Sequence, residues 1–111
     1  MVNIRDKGVL LQIIKRSERI LSKIKNITFE DFNIDEDLKE VVCFNLFQIG
    51  ELANNLSLEF IEKYNKIPWK QIIGMRNKIV HGYDTIDIEI VWNTSLESVL
   101  ELKKYCIEIL Y

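Results

Sequence analysis

Apolar residues recur along most of this chain at intervals of three and four, the period of an α-helix that buries one face. Between about Asn3 and Lys25, Leu10, Ile13, Ile14, Ile20, Leu21 and Ile24 form one stripe, with Ser17 filling its gap. Arg5, Lys15, Arg16, Glu18, Arg19 and Lys23 lie mostly off that stripe. Asn26 to Asn33 reads as a connector in which Thr28 caps one short turn holding Phe29 and Phe32. A longer helix is expected from near Asp35, because Asp35, Glu36 and Asp37 suit the positive end of a helix dipole. Its main stripe is Leu38, Val41, Val42, Ile49, Leu52, Ala53 and Leu56, and Phe44, Leu46 and Phe47 widen the apolar surface onto a second side. A helix apolar on two sides needs two neighbours, and in a small domain the second can be another copy of the chain.

The remaining punctuation is equally local. Ser57 is placed to cap a short helix carrying Leu58, Phe60, Ile61 and Tyr64. After a break at Asn65 to Ile67, Pro68 suits the first position of a new helix, where a missing N–H costs nothing. That helix holds Trp69, Ile72, Ile73, Met75, Arg76, Ile79 and Val80, and Gly82 ends it. Asp87 caps a final helix through Ile88, Val91, Trp92, Leu96, Val99, Leu100, Leu102, Tyr105, Ile109 and Leu110. The expectation is an all-α, antiparallel bundle of four or five helices. It fills residues 1–111 as a single domain, without repeat, linker or low-complexity tract.

Composition narrows the function classes. With four Gly and one Pro in 111 residues, an all-β sandwich or barrel lacks its turns. No apolar run approaches the ~18–20 residues of a membrane span, and Arg5, Asp6 and Lys7 are followed by no signal-type core. Cys43 and Cys106 each sit inside an apolar helical pattern, which suits a reducing cytoplasm. One His and two distant Cys offer no zinc-ligand spacing, so neither metal nor cofactor is expected.

Charge changes the picture most. The chain carries 15 basic and 17 acidic residues, a net charge of −2. Yet Lys63, Lys66, Lys70, Arg76 and Lys78 fall between Lys63 and Tyr83 with no acid among them, so this window is +5 and the remainder −7. The same window holds His81, the sole histidine, with Trp69 and Tyr83. A basic run is commonly a solvated helix face. It also suits phosphate binding, because Lys and Arg displace counterions from a polyanion, and RNA offers unstacked bases to aromatic rings. Arg76 and His81 are five residues apart, roughly 140° on an ideal helix, so they converge only if the helix end bends or a two-fold mate brings two Arg and two His into one cleft. Gly82 lets the backbone turn at that place.

The run Arg76-Asn77-Lys78-Ile79-Val80-His81-Gly82-Tyr83 resembles the RxxxxHxY motif of the HEPN superfamily, in its HepT-like ribonuclease toxin group. Ile67-Pro68-Trp69-Lys70-Gln71-Ile72-Ile73-Gly74-Met75, Ile49-Gly50-Glu51 with Asn54, and Asp87 to Trp92 extend the likeness over most of the chain. The resemblance implies a HEPN-like helical bundle, a two-fold homodimer with the motif at the cleft between protomers, and metal-independent cleavage of RNA by its own 2′-OH. Arg76 and His81 are then the catalytic pair: Arg76 holds the scissile phosphate, and His81 is the general base or acid. Asn77, Lys70, Lys78 and Tyr83 become substrate-binding residues, Asn77 orienting substrate or His81. The resemblance further implies the toxin of a toxin–antitoxin pair of the type VII kind. Its antitoxin is an MntA-like nucleotidyltransferase that silences the toxin by placing AMP on Tyr83.

Two other readings use the same residues: a non-catalytic subunit that presents substrate to a nucleotidyltransferase, and a purely structural dimerisation bundle. The residues themselves leave alternatives open. Arg76 can pair with a carboxylate such as Glu51, His81 can cap its helix, and Tyr83 can pack under the last helix. Glu51 is either a partner of the motif or exposed.

Overall fold

The structure, a computed structural model, describes residues 2–82 and 86–111. Those residues are helical throughout, apart from short connections. In chain order they form α1 (Ile4–Ile24), α2 (Phe29–Ile34), α3 (Glu36–Asn54), α4 (Leu58–Lys63), α5 (Trp69–Val80), α6 (Ile88–Asn93) and α7 (Val99–Leu110). Thr94–Ser98 is a π-helical stretch that joins α6 to α7 in one rod. The all-α bundle read from periodicity is therefore present, as four long helical rods and two helices of six residues each.

Side chains close the helix ends where the sequence placed them. Thr28 and Asp31 form a reciprocal capping box on α2: Asp31 N donates to Thr28 Oγ1 at 3.1 Å, and Thr28 N donates to Asp31 Oδ2 at 3.3 Å. Asp35 accepts from Leu38 N, Ser57 from Phe60 N and Asp87 from Glu89 N. Gly82 follows the C-cap of α5 with φ of +123°, a conformation that side-chain-bearing residues rarely adopt. Pro68 differs by one position. It is the N-cap of α5 rather than its first residue, with a non-helical ψ of 69°. Trp69 fixes that start, buried against Phe60, its indole N–H donating to Tyr64 O at 3.1 Å.

α3 packs on α1 and on α5, and α1 also packs on α7. The pairs Asp6 with Ser57 and Arg16 with Asn45 show that α1 and α3 run antiparallel. Leu10, Ile13 and Ile20 of α1 meet Val42, Ile49 and Ala53 of α3 in the core, together with Val91, Val99 and Leu102. α2 inserts Phe32 beside Trp92, their ring centroids 5.1 Å apart. The two neighbours that α3 needs are thus both supplied by the same chain. Val41, read as part of the main stripe, is nonetheless exposed, and Phe44 is 53% exposed.

Ser17 is fully buried, as its place in the stripe suggests, and its Oγ has no partner among the described residues. Cys43 and Cys106 are free and buried. Burial pushes their thiols up from the ordinary 9.0, to about 11 and about 12 respectively, so both are uncharged near neutral pH. Among the described residues no helix is long and apolar enough to cross a membrane.

One long-range tie stands out. Asp6, 2% exposed, accepts from Ser57 Oγ at 2.6 Å, from Ser57 N at 3.0 Å and from Asn3 Nδ2 at 3.0 Å. The same Ser57 hydroxyl accepts from Phe60 N at 3.2 Å. The first turn of α1 is thereby bonded to the cap of α4, 51 residues away in sequence. Asp6→Ala removes the acceptor of three hydrogen bonds at once and is expected to cost about 2–4 kcal/mol, since hydrogen bonds to charged groups contribute ~1.5–3 kcal/mol each. Urea unfolding measures it, and a cost under ~1 kcal/mol contradicts this role.

Candidate functional site

The basic window folds into the end of α4, the loop after it and α5. Lys63 closes α4 with its ammonium 5.4 Å from the Tyr64 ring centroid, and Lys66 is exposed in the loop. Lys70, Arg76 and Lys78 follow on α5. At ~100° per residue, Arg76 and Lys78 leave the helix on nearly opposite sides, and Lys70 lies ~120° from Arg76. The five cations therefore do not make one patch.

Arg76 is the member that α3 captures. Its Nε donates to Glu51 Oε1, and its Nη1 donates to Asn77 Oδ1 at 2.6 Å. Of the two readings left open for Glu51, partner of the motif is the one observed. The contact exists because residue 50 is glycine. A Cβ added there would overlap the Cβ of Arg76 and press on its Cγ, 3.1 Å away, and on Ile72 O, 3.2 Å away. Gly50 lets α3 and α5 approach until the Arg76 stem lies against the α3 backbone, and Glu51, next along α3, meets the guanidinium.

The pair is not sealed. The Arg76 side chain is 28% exposed and that of Glu51 39%. A guanidinium has five N–H donors. Glu51 and Asn77 each engage one, which leaves the Nη2 amino group and the second Nη1 hydrogen without a partner among the described residues. That outer edge presents parallel donors of the kind that grip a carboxylate or phosphate.

The other site residues from the sequence are spread around this centre. Asn77 is exposed and bonded to Arg76 rather than to His81. His81 is the C-cap of α5, exposed, its backbone N–H donating to Asn77 O at 3.3 Å. Among the described residues no hydrogen bond joins the His81 imidazole to Arg76. Lys70 and Lys78 are exposed. Tyr83 lies outside the described residues.

Lys78 instead lines an apolar groove of about 330 Å³ between α5 and the C-terminal rod, floored by Leu46 and Ile49 of α3. Met75 and Gln71 form one wall, Ile90, Thr94 and Ser98 the other. This apolar groove and the exposed guanidinium thus lie on different faces of α5. Elsewhere Arg16, Arg19 and Lys23 line a second depression with Phe44, but Asp37 and Glu40 share it and offset most of its charge. Among the described residues no cluster of His, Cys, Asp and Glu could hold a metal ion.

Comparison with known proteins bears on what this arrangement is for. The family model described as "Ribonuclease HepT-like" matches residues 10–109. The chain is 42% identical over 101 residues to "Putative RNase TTE0752" of Caldanaerobacter subterraneus subsp. tengcongensis, covering 91% of this chain and 90% of that protein. It is 34% identical over 98 residues to "Putative RNase MJ1216" of Methanocaldococcus jannaschii, covering 88% and 81%. To "Probable ribonuclease HepT" of Thermococcus cleftensis it is 33% identical over 97 residues, covering 87% and 88%. No solved structure matches the chain.

The close approach of α3 and α5 yields a direct test. Gly50→Ala forces backbone against the Arg76 stem and is expected to destabilise the fold by about 1–3 kcal/mol, the usual cost of overpacking. Gly74→Ala is the control, because a Cβ there meets nothing within 4 Å. Urea midpoints distinguish the two, and equal midpoints would show that the helices have room to part.

Proposed function

This chain belongs to the HepT-like ribonuclease family, and on that premise we propose that it is a metal-independent endoribonuclease acting in the cytoplasm as the toxin of a toxin–antitoxin pair. The observation that carries the reading is the guanidinium of Arg76, held by Glu51 and Asn77 with its outer donors exposed, on the helix whose last turn carries the exposed imidazole of His81.

The chemistry follows from what those groups do. RNA supplies its own nucleophile, a 2′-hydroxyl beside each phosphate. The 2′-oxygen bonds to phosphorus while the bond from phosphorus to the 5′-oxygen breaks, leaving a 2′,3′-cyclic phosphate and a 5′-hydroxyl. A proton leaves the 2′-oxygen and one arrives at the departing 5′-oxygen. An imidazole performs either transfer near neutral pH, which is the role of His81. Negative charge grows on the non-bridging oxygens as the bond forms, and the parallel donors of Arg76 stabilise it. Lys70 and Lys78, which leave α5 on other sides than Arg76, attract phosphates farther along a bound RNA.

Arg76 and His81 are not bonded to each other within one chain. A two-fold homodimer that sets the two motifs across a shared cleft supplies a second guanidinium and a second imidazole to the same substrate. Regulation falls to Tyr83. An MntA-like nucleotidyltransferase partner that attaches AMP to its hydroxyl adds bulk and negative charge two residues along the chain from His81, which repels RNA.

The test is cleavage of RNA by the purified protein in EDTA. His81→Ala is expected to lower the rate by about 10²–10⁴-fold, and Arg76→Ala by about 10²–10³-fold. Cleavage by His81→Ala at the unaltered rate refutes the mechanism. For the regulatory half, co-expression with an MntA-like nucleotidyltransferase is expected to raise the mass of the tryptic peptide containing Tyr83 by whole AMP units. Labelling without any growth defect from the unlabelled protein would favour a substrate-presenting subunit instead.

A further inference from the structure

We infer that Glu51 is a positioning residue for the reaction, aiming the Arg76 guanidinium at the scissile phosphate of RNA; this rests on the ribonuclease reading above. Three observations carry it. First, Glu51 takes the Nε–H of Arg76 and not the fork formed by Nη1 and Nη2. A guanidinium has two bidentate edges, Nε with Nη2 and Nη1 with Nη2, and Glu51 meets the first of them through Nε. Glu51 grips the inner side and leaves the outer edge open.

Second, Asn77 holds Nη1 from the neighbouring position of the same helix. A guanidinium is planar and delocalised. Anchoring two of its nitrogens to acceptors on two different helices fixes the plane, and with it the direction of the remaining donors. Third, Gly50 removes the side chain that would otherwise fill the space of the Arg76 stem. A long flexible cation is thereby packed into one path before substrate arrives. Glycine and glutamate are consecutive on α3 and serve the same arginine, one by making room and the other by orienting it.

A carboxylate beside a phosphate-binding arginine also repels the incoming phosphate. The arrangement is favourable for catalysis because the guanidinium lies between the two anions, attracting both. Loss of Glu51 therefore removes orientation, whereas loss of Arg76 removes binding and orientation together. A residue that acts only through Arg76 has no effect once Arg76 no longer presents that edge.

The experiment combines kinetics with a signal from Arg76 itself. Glu51→Ala is expected to lower kcat by about 10–100-fold, the usual cost of a misaimed group, with KM changed less than kcat and the unfolding midpoint close to that of the parent. Glu51→Gln keeps an oxygen acceptor for Nε–H and is expected to recover most of the lost rate. In an Arg76→Lys background, Glu51→Ala is expected to add no further loss. The Arg76 Nε–H resonance, assigned by its disappearance in Arg76→Lys, is expected to move in Glu51→Ala and to stay near its place in Glu51→Gln.

Parental kcat in Glu51→Ala, an undiminished loss in the Arg76→Lys background, or an unmoved Nε–H resonance would overturn the assignment. Should the parent protein cut no RNA, the nuclease reading falls by itself. The Nε–H resonance, titrated with an RNA oligonucleotide carrying 2′-deoxy sugars, then decides Glu51: a response in the parent and Glu51→Gln but not in Glu51→Ala supports it. Equal responses in all three overturn it.

Discussion

The close passage of α3 over α5 at Gly50 is the constraint on which the rest of the candidate site depends. Helix axes normally stand apart by the depth of two side chains. Here one of the two layers is missing, and the stem of an arginine occupies the gap. Everything distinctive about Arg76 follows from that geometry. Its Cβ and Cγ lie against α3 at Gly50, its Nε reaches a carboxylate on the same helix, and the side chain stays 28% exposed. A half-exposed ion pair of this kind adds little to stability, ~0–1 kcal/mol for exposed pairs. Its value lies in direction.

The remainder of the bundle gives that contact a stable frame. α3 lies between α1 and α5, so a shift of α1 against α3 would be felt at the arginine. Three polar ties among the described residues hold α1 to its neighbours. At its first turn Asp6 binds the Ser57 cap, just after α3 ends. Farther along, Arg16 Nη1 donates to Asn45 Oδ1 at 3.2 Å, the Asn45 amide in turn donates to Val41 O at 2.8 Å, and Glu18 pairs with Lys103 of α7 at 3.4 Å. Asn45 is 2% exposed and so satisfied on both sides of its amide. Between Asp6 and Arg16 the buried residues of α1 are the apolar Leu10 and Ile13, and Ser17 just beyond them is fully buried.

Much of the frame was legible because helix ends are written in nearby residues. Thr28, Asp35, Ser57 and Asp87 each cap by bonding an N–H two or three positions on, and Gly82 marks the end of α5 by a backbone angle that glycine adopts freely. The helical period likewise identified most of the core. Long-range partners were less accessible. Asp6 and Ser57 are 51 residues apart, and no local pattern joins them. Glu51 and Arg76 are 25 apart, and the sequence posed their pairing only as an alternative. The +5 window also hid a division, since α5 sends Arg76 to α3 and Lys78 to the groove. Asn77 shows the same limit: the family resemblance implies a role toward substrate or His81, whereas its oxygen meets the adjacent arginine. Val41 and Phe44 match the apolar pattern of α3, yet the chain leaves both exposed.

The widened turn at Thr94–Ser98 has an effect on the whole C-terminal rod. Its buried positions are Val91, Trp92, Ser95, Val99, Leu102 and Cys106, and from Val91 through Ser95, Val99 and Leu102 to Cys106 the steps are four, four, three and four. On an unbroken α-helix that sequence of steps precesses by roughly 60° over its length, so the last residues would slide off the ridge that the first ones share. A π-helical turn holds more residues per revolution and takes up the excess. The π-helical stretch and α7 pack on α1 while α6 packs on α2, and within the rod the Ser95 hydroxyl donates to Val91 O at 2.8 Å. An evolutionary deletion of one residue there would restore ideal helical hydrogen bonding while rotating Leu102 and Cys106 toward water, so in this rod regular backbone and a continuous core are alternatives.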